Sequence, residues 1–260
     1  MNARFNLKPM EYIQVPASKQ SFNRMLFAEV APKYDFITKA LSFGRDVRWK
    51  RQLLAHLPER TSPVCIDLAC GTGDLTRMLA ARYPDGQITG LDLTPEMLEI
   101  ASERTAARTI NFTEGSMDAL PFEEASIDII TGGYALRNAP DLDQTLNEIT
   151  RVLRPGGYAA FLDFSKPQHR IGQAATCSLL KVWGGCWGWL LHGNADVYGY
   201  IADSLKLYPS RRQLRRSFEE RGFVLQSNRR FFRGMLEMAV YEKQRPSAPA
   251  QQAMDRTHAL

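Results

Sequence analysis

Residues 64–79, VCIDLACGTGDLTRML, constrain this chain more than any other stretch. An apolar run ends at Asp67, passes through a turn of small residues, and resumes as an amphipathic pattern. A strand that stops at a glycine turn and gives way to a helix is the opening unit of an α/β sheet. The rhythm continues downstream. Strands are expected at GQITGLDL, INFTEG, SIDIITGGYAL and GYAAFLDFS, with helices at DLTRMLAARY, TPEMLEIASERTAA and DLDQTLNEITRVL. Thr94 and Asp141 stand at N-cap positions, and Pro95 at a first helical position. This alternation predicts an α/β fold with a doubly wound, mostly parallel sheet. Ligands of such sheets bind at the carboxyl ends of the strands. That rule places Asp67, Asp92, Gly115–Ser116, Gly133–Tyr134 and Asp163 around one rim.

The 260 residues, 44% of them hydrophobic, suit one domain with a sizeable core. Residues 1–20 are polar and expected to be a flexible N-terminus. Residues 21–60 are expected to form a helical cover, from FNRMLFAEVAPKYDFITKALSF and DVRWKRQLLAHL. The rhythm breaks at residues 168–208, a helical, Trp-rich insertion. It returns with the helix SRRQLRRSFEERG and the strands FVLQSNRRFF and MLEMAVYEK. Residues 246–260, rich in Pro, Ala and Gln, read as a disordered tail.

Partners and compartment are bounded loosely. The net charge of +5 does not call for nucleic acid, and none is expected; an anionic membrane surface fits equally well. The N-terminus has no apolar core of a secretory signal. The stretch AATCSLLKVWGGCWGWLL is interrupted by Lys181 and weakened as a helix by its Gly pair, and is too short and mixed to span a membrane. It reads either as a buried helical cover or as an interfacial, lipid-facing surface. The four cysteines match no zinc pattern and no disulfide framework. Reduced thiols point to a cytoplasmic protein, with a peripheral position at the inner face of a membrane as the further expectation. A homodimer is among the assemblies considered.

The ligand of the glycine turn follows from its neighbours. The dinucleotide fingerprint wants Gly or Ala three residues after its second glycine, and Thr76 stands there. The triphosphate loop needs a lysine, and none is present. Asp67 and Asp74 flank the turn with negative charge, which repels a pyrophosphate but suits a ligand carrying an ammonium and a sulfonium. S-adenosylmethionine is such a ligand. Asp92 ends the second strand about twenty residues past the turn, where an acid can accept both ribose hydroxyls. Leu93 and Met97 follow it and can pack on an adenine. Ala69, Gly71 and Gly73 form the turn, and Ser116, Met117 and Gly133 come from later strand ends. An acid ending a strand is also often the N-cap of the next helix.

With these blocks in place, residues 23–243 resemble the Class I S-adenosylmethionine-dependent methyltransferases, and more narrowly the ubiquinone/menaquinone ring C-methyltransferase family. The resemblance rests on FAEVAPKYDFITKALSFGRDVRWKR, DLACGTGD, GGYALRNAPDLDQTLNEITRVLRPGGYAAFLDFSKP and NADVYGYIADSLKLYPS. It implies a seven-stranded Rossmann-like sheet over residues 21–245, S-adenosylmethionine as cofactor, and C-methylation of a demethylated polyprenyl benzoquinol or naphthoquinol. It also implies that Tyr34 closes over the cofactor. The chain departs from the family where its first signature carries Asn and His, here Thr38 and Asp46. Its second signature usually ends Glu-x-Ser and here reads Asp163-Phe164-Ser165, and Ser116 takes the polar position near the adenine. These departures keep open a different acceptor, another lipid or secondary metabolite methylated at O, N or C. A non-catalytic cofactor-binding scaffold is a further alternative.

Methyl transfer from a sulfonium needs alignment and exclusion of water. Ring C-methylation adds two demands: the phenol must shed its proton, and a base must later take the ring proton. Arg137, just past the fourth strand, can stabilise a phenolate or position a water; an ion pair with Asp141 or Asp143 is the alternative. Asp163 can serve as base or as a structural acid. Asp46 can serve as base if burial raises its pKa, and is otherwise a cap. Tyr134, Asn138, Trp183, Trp187, His192 and Tyr200 are candidates for the acceptor pocket, the tryptophans as a greasy lid. Packing roles are the alternative for each. No metal site is expected.

Overall fold

The strand Val64–Leu68 (β1) is buried on both faces, because its side chains alternate between two different cores. Ile66 and Leu68 join one and Cys65 the other. In the computed structural model, which describes residues 9–105, 110–167 and 169–245, β1 is central in a seven-stranded sheet. The other strands are Gln87–Asp92 (β2), Ile110–Glu114 (β3), Ile127–Gly133 (β4), Leu153–Phe164 (β5), Phe223–Phe231 (β6) and Leu236–Lys243 (β7). Their order is β3-β2-β1-β4-β5-β7-β6. All neighbours are parallel except β7, which runs antiparallel to both β5 and β6. The chain turns back on itself between β1 and β4. At that switch point the carboxyl ends of two adjacent strands diverge into a crevice.

Helices cover both faces. Asp74–Arg82 (α5), Pro95–Glu103 (α6) and Leu142–Val152 (α7) are the crossovers between successive strands. Asp141 caps α7 as its position predicts, accepting from the Gln144 N–H at 3.0 Å. Thr94 stands at the N-cap of α6 but its side chain makes no cap bond; Asp92 accepts the Thr94 N–H instead. Arg211–Glu219 (α10) begins with a capping box of Ser210 and Gln213.

The N-terminal helices are Pro9–Tyr12 (α1), Pro16–Val30 (α2), Tyr34–Leu41 (α3) and Asp46–Ala55 (α4). Helical structure thus starts at Pro9, inside the stretch expected to be loose, because the side chains of Ile13 and Phe22 find a core. Residues 1–8 and the tail 246–260 lie outside the described residues. The insertion is a helical pair, Arg170–His192 (α8) and Asp196–Leu207 (α9). α8 runs unbroken through Gly184–Gly185. Its glycines are a seam: a Cβ at Gly184 would stand 2.6 Å from the Tyr198 carbonyl oxygen, and one at Gly188 2.5 Å from that of Asn194. A third core joins α2, α3 and α9 through Leu26, Val30, Ile37, Val197 and Tyr200. That core suspends the cover over the crevice. Among the described residues no helix is long and apolar enough to cross a membrane.

Candidate active site

The turn after β1 lays backbone open to the crevice. Ala69 and Gly71 both adopt left-handed conformations, with φ of 49° and 55°. For alanine that is strained backbone, held in place by the structure around it. The turn is stitched to β2: the Cys70 N–H donates to the Leu91 carbonyl at 3.0 Å, and the Gly71 N–H to an Asp92 carboxylate oxygen at 2.8 Å. The other Asp92 oxygen accepts the Thr94 N–H at 2.9 Å. Burial raises the Asp92 pKa and these bonds oppose it.

A cavity of about 590 Å³ opens over this turn. Tyr34, Ala69, Gly71, Asp92, Leu93, Met97, Ser116, Met117 and Gly133 are among its lining residues. No lysine or arginine is among its lining residues, so it offers no cationic side chain to a phosphate. Its one carboxylate, Asp92, is an acceptor that borders the cavity, and Leu93 and Met97 offer apolar surface to a base. This donor set fits S-adenosylmethionine. A Cβ at Gly71 would come 3.5 Å from the Tyr34 ring, so the tyrosine lies directly over the turn.

Three residues expected to hold the cofactor lie outside that lining. Asp67 is enclosed behind it, accepting from Thr76 Oγ1 at 2.7 Å and Thr131 Oγ1 at 2.8 Å. Burial lifts its pKa to about 6. Gly73 supports packing: a Cβ there would meet Ala101, Arg77 and Phe112. Asp74 is paired with Arg77 and stands 3.8 Å from Lys50. The negative charge of the turn is therefore spent inside the protein, and Asp92 supplies the acid of the cavity.

A second cavity of about 700 Å³ adjoins the first. Phe27, Tyr34, Tyr134 and Asn138 line both. The rest of the second is mostly apolar, walled by side chains such as Leu26, Ile37, Leu41 and Ile201, with Thr38, Ser42, Tyr198, Tyr200 and the one guanidinium, Arg137, as its polar groups. Tyr134 is held in a left-handed conformation, φ 60°, at the end of β4. Its hydroxyl donates to Asp46 at 2.8 Å, and Asp46 pairs with Lys50 at 2.7 Å. Asp46 does not line the cavity; it stands one hydrogen bond behind it. Burial first, and then Asp46, raise the Tyr134 pKa far above its ordinary value, so the phenol stays protonated.

Arg137 is buried and borders the second cavity. Its partner is neither Asp141, which caps α7, nor Asp143, which pairs with Arg221 at 2.6 Å. Asp163 takes that place: it accepts the Arg137 N–H at 3.0 Å and stands 3.7 Å from Nε. The guanidinium donates to Ser204 and lies 5.4 Å over Phe164 and 5.8 Å over Tyr200. Nε itself has no hydrogen-bond partner among the described residues. Asp163 also accepts the Phe164 N–H, and it lines neither of the two cavities. Its contacts hold Arg137 in place.

Asn23, on α2, is a site residue that sequence reasoning missed. Its amide donates to the Asn138 carbonyl at 2.7 Å, while the Tyr200 hydroxyl donates to its oxygen at 2.8 Å. Burial holds the Tyr200 pKa at about 12. Lys19, one turn earlier, donates to the carbonyls of Arg137 and Ala139, and burial lowers its pKa to about 8. The signal was there: residues 19, 23, 26 and 30 share one helix face, and two polar residues interrupt an otherwise apolar face.

Trp183, Trp187 and His192 do not reach either cavity. Trp183 stacks on Phe43 at 5.6 Å and Trp187 meets Phe36 edge-on at 5.7 Å. A His192 ring nitrogen lies 3.0 Å from the Tyr198 hydroxyl, and burial lowers its pKa. The side of α8 that faces α9 is built of small residues, so its aromatic rings turn toward α3 and the α3–α4 turn instead.

A Rossmann-like sheet with an acid at the end of β2 and a cavity without cationic side chains over the β1 turn matches a Class I S-adenosylmethionine-dependent methyltransferase. Solved structures share the fold. An S-adenosylmethionine-dependent methyltransferase from Mesorhizobium loti superposes with TM-score 0.55 at 17% identity, covering 75% of this chain and 97% of that one. Geranyl diphosphate C-methyltransferase from Streptomyces coelicolor A3(2), solved with Mg2+, geranyl diphosphate and S-adenosyl-L-homocysteine, gives TM-score 0.58 at 12% identity, covering 75% and 78%. The sequence places the chain more narrowly. It belongs to the ubiE/COQ5 methyltransferase family, whose profile matches residues 16–240. The demethylmenaquinone methyltransferase of Thermus thermophilus is 35% identical over 204 residues, 76% of this chain and 91% of that protein. The Staphylococcus aureus enzyme of the same name is 32% identical over 231 residues, 88% and 95%.

Proposed function

We propose that this methyltransferase transfers the methyl group to a ring carbon of a reduced, demethylated polyprenyl quinol. The observation that carries the reading is the pair of adjoining cavities: one suited to the cofactor, the other apolar with a single buried guanidinium at its polar end. The relatives named demethylmenaquinone methyltransferases support a naphthoquinol as the acceptor ring.

S-adenosylmethionine supplies an electrophilic methyl group on a sulfonium. The chain's own residues do the rest. Asp92 accepts the ribose hydroxyls, Leu93 and Met97 flank the adenine, and Ala69, Gly71, Ser116, Met117 and Gly133 complete the cradle. Tyr34 and Tyr134 stand at the junction and exclude water from the reacting atoms. The Arg137 guanidinium, buried at the border of this cavity, donates to the ring oxygen as it becomes phenolate, which makes the adjacent carbon nucleophilic. The Tyr134 hydroxyl receives the ring proton and passes its own to Asp46, so the carboxylate acts as base through the phenol. The apolar wall of the second cavity accommodates the start of the isoprenoid tail. Thr38 lines this cavity and Asp46 lies just behind it, so both departures from the family's first signature bear on the acceptor ring. We place the enzyme in the cytoplasm, peripheral to the inner face of a membrane, acting on a small molecule and not on nucleic acid; any homodimer would be secondary to this activity.

Arg137→Ala tests the reading. Turnover should fall by about 10²–10³-fold, as for loss of an oxyanion donor, with S-adenosylmethionine affinity within twofold of wild type by calorimetry. Full turnover in that variant would remove Arg137 from the chemistry.

A further inference from the structure

α8 has two unlike faces. Toward α9 it presents Gly184 and Gly188, and Lys181 reaches across to Asp203 at 2.7 Å. Away from the protein it presents Ile171, Leu179, Val182, Trp189 and Leu190, exposed by 87%, 57%, 65%, 70% and 63%. Exposed Ala175 and Cys186 fall on the same line. Positions 171, 175, 179, 182, 186 and 190 repeat every three or four residues, so they form one stripe about 28 Å long. The helix contains no acidic residue. An apolar stripe of this extent exceeds the scattered apolar residues of an ordinary surface.

The stripe continues onto the N-terminal cover. Phe43, at the turn between α3 and α4, is 66% exposed and stacks on Trp183; Phe36, 54% exposed, meets Trp187. Phe43 also meets Phe232 at 5.9 Å, in the turn between β6 and β7. Here cations gather. The Arg45 guanidinium lies 5.6 Å over Phe232, Arg229 lies 5.7 Å over Phe231, and exposed Arg233 follows in the same turn. None of the three has a carboxylate within ion-pair distance among the described residues.

We propose that this face, α8 with the Phe43 and Phe232 turns, docks on the surface of an anionic lipid bilayer. Apolar side chains beside unpaired cations match an interface of acyl chains under anionic headgroups. A second copy of the chain is the poorer occupant, since a symmetric contact would bring each arginine cluster toward its own image. The location is apt. α3 turns Ile37, Thr38 and Leu41 into the acceptor cavity while Phe36 and the Phe43 turn face outward, so docking brings the roof of that cavity against the bilayer. The inference rests on the prenylated-acceptor reading, because only a membrane-borne substrate gives the docking a purpose.

The test is co-sedimentation of the full chain with vesicles, of phosphatidylcholine alone or with added phosphatidylglycerol. Wild type should bind the anionic vesicles at least tenfold more tightly, and added salt should weaken that binding. Trp189→Ser with Leu190→Ser, and separately Arg45→Glu with Arg233→Glu, should each reduce it at least tenfold. Both variants should keep wild-type turnover of a short-tailed, water-soluble demethylnaphthoquinol. Absent vesicle binding, or binding unchanged in both variants, would overturn the docking surface. So would a wild-type dimer that the Trp189/Leu190 variant makes monomeric while vesicle binding is unaltered. Failure of the acceptor reading looks different: vesicle binding as described, with no methyl transfer to any reduced quinol.

Discussion

Asp92 and Asp67 are two acids one strand apart with opposite environments. Asp92 borders the cofactor cavity, while Asp67 is enclosed behind it and both its oxygens accept from buried threonines. Asp92→Ala removes two charge-assisted bonds to ribose hydroxyls, each worth about 1.5–3 kcal/mol. S-adenosylmethionine affinity should fall by about 100-fold or more by calorimetry. Asp67 contributes differently. Its folded pKa of about 6 stands above the ordinary carboxylate value of 3.8, so the folded state binds this proton more tightly than the unfolded state. The associated stability is complete below pH 3.8 and is lost as pH rises through about 6, a cost of about 3 kcal/mol. Asp67→Asn escapes that titration. The stability of wild type relative to the variant should therefore decline between pH 4 and pH 7 in urea denaturation; a constant difference would contradict the assignment. At this scale the sequence identifies strand-end acids readily. It does not tell which of them a neighbouring threonine will occupy, because Thr131 reaches Asp67 from a strand 64 residues away.

Gly184 and Gly185 are neighbours in α8 with opposite surroundings. A Cβ at Gly184 would meet backbone of α9 at 2.6 Å, whereas at Gly185 the nearest atom would be an Ala195 methyl at 3.5 Å. Gly184→Ala should destabilise by about 1–3 kcal/mol despite the better helix propensity of alanine. Gly185→Ala should be neutral or stabilising by up to about 1 kcal/mol. Since α9 carries Tyr200 and Ile201 into the acceptor cavity, Gly184→Ala should also raise the acceptor KM. Denaturation and steady-state kinetics check both. The alternation of strands and crossover helices was legible because each element carries its own period and caps. The unbroken α8 was not, because the glycines that weaken a helix locally are repaid by contacts with a helix not yet placed. The helical start at Pro9 was hidden likewise: Ile13 belongs to a core assembled mostly from residues beyond it.

The whole molecule sets two cavities side by side, and their legibility differs. The cofactor cavity is built from strand ends that follow one another in the chain, so short motifs located most of it. The acceptor cavity takes most of its wall from α2, α3, α9 and the turn after β4, with Trp49, Phe164 and Leu236 added from α4, β5 and β7, all separated in sequence. Single residues there carried the signal: Arg137, Tyr134, Asn138 and Tyr200 were recognisable, while Asn23 and Lys19, which hold the Arg137–Ala139 turn from outside the cavity, were not. The tryptophans of α8 misled, since aromatic content marks a surface to be covered without saying on which side. The two cavities share Phe27, Tyr34, Tyr134 and Asn138, and the proposed reaction places methyl transfer at that junction. Its direct test is to incubate the enzyme with methyl-labelled S-adenosylmethionine and a short-tailed demethylnaphthoquinol, reduced or oxidised, and to determine the product's structure. The account predicts a label on a ring carbon, formed from the reduced acceptor alone. Label on oxygen, equal transfer to the oxidised ring, or cofactor binding with no quinol product would contradict it.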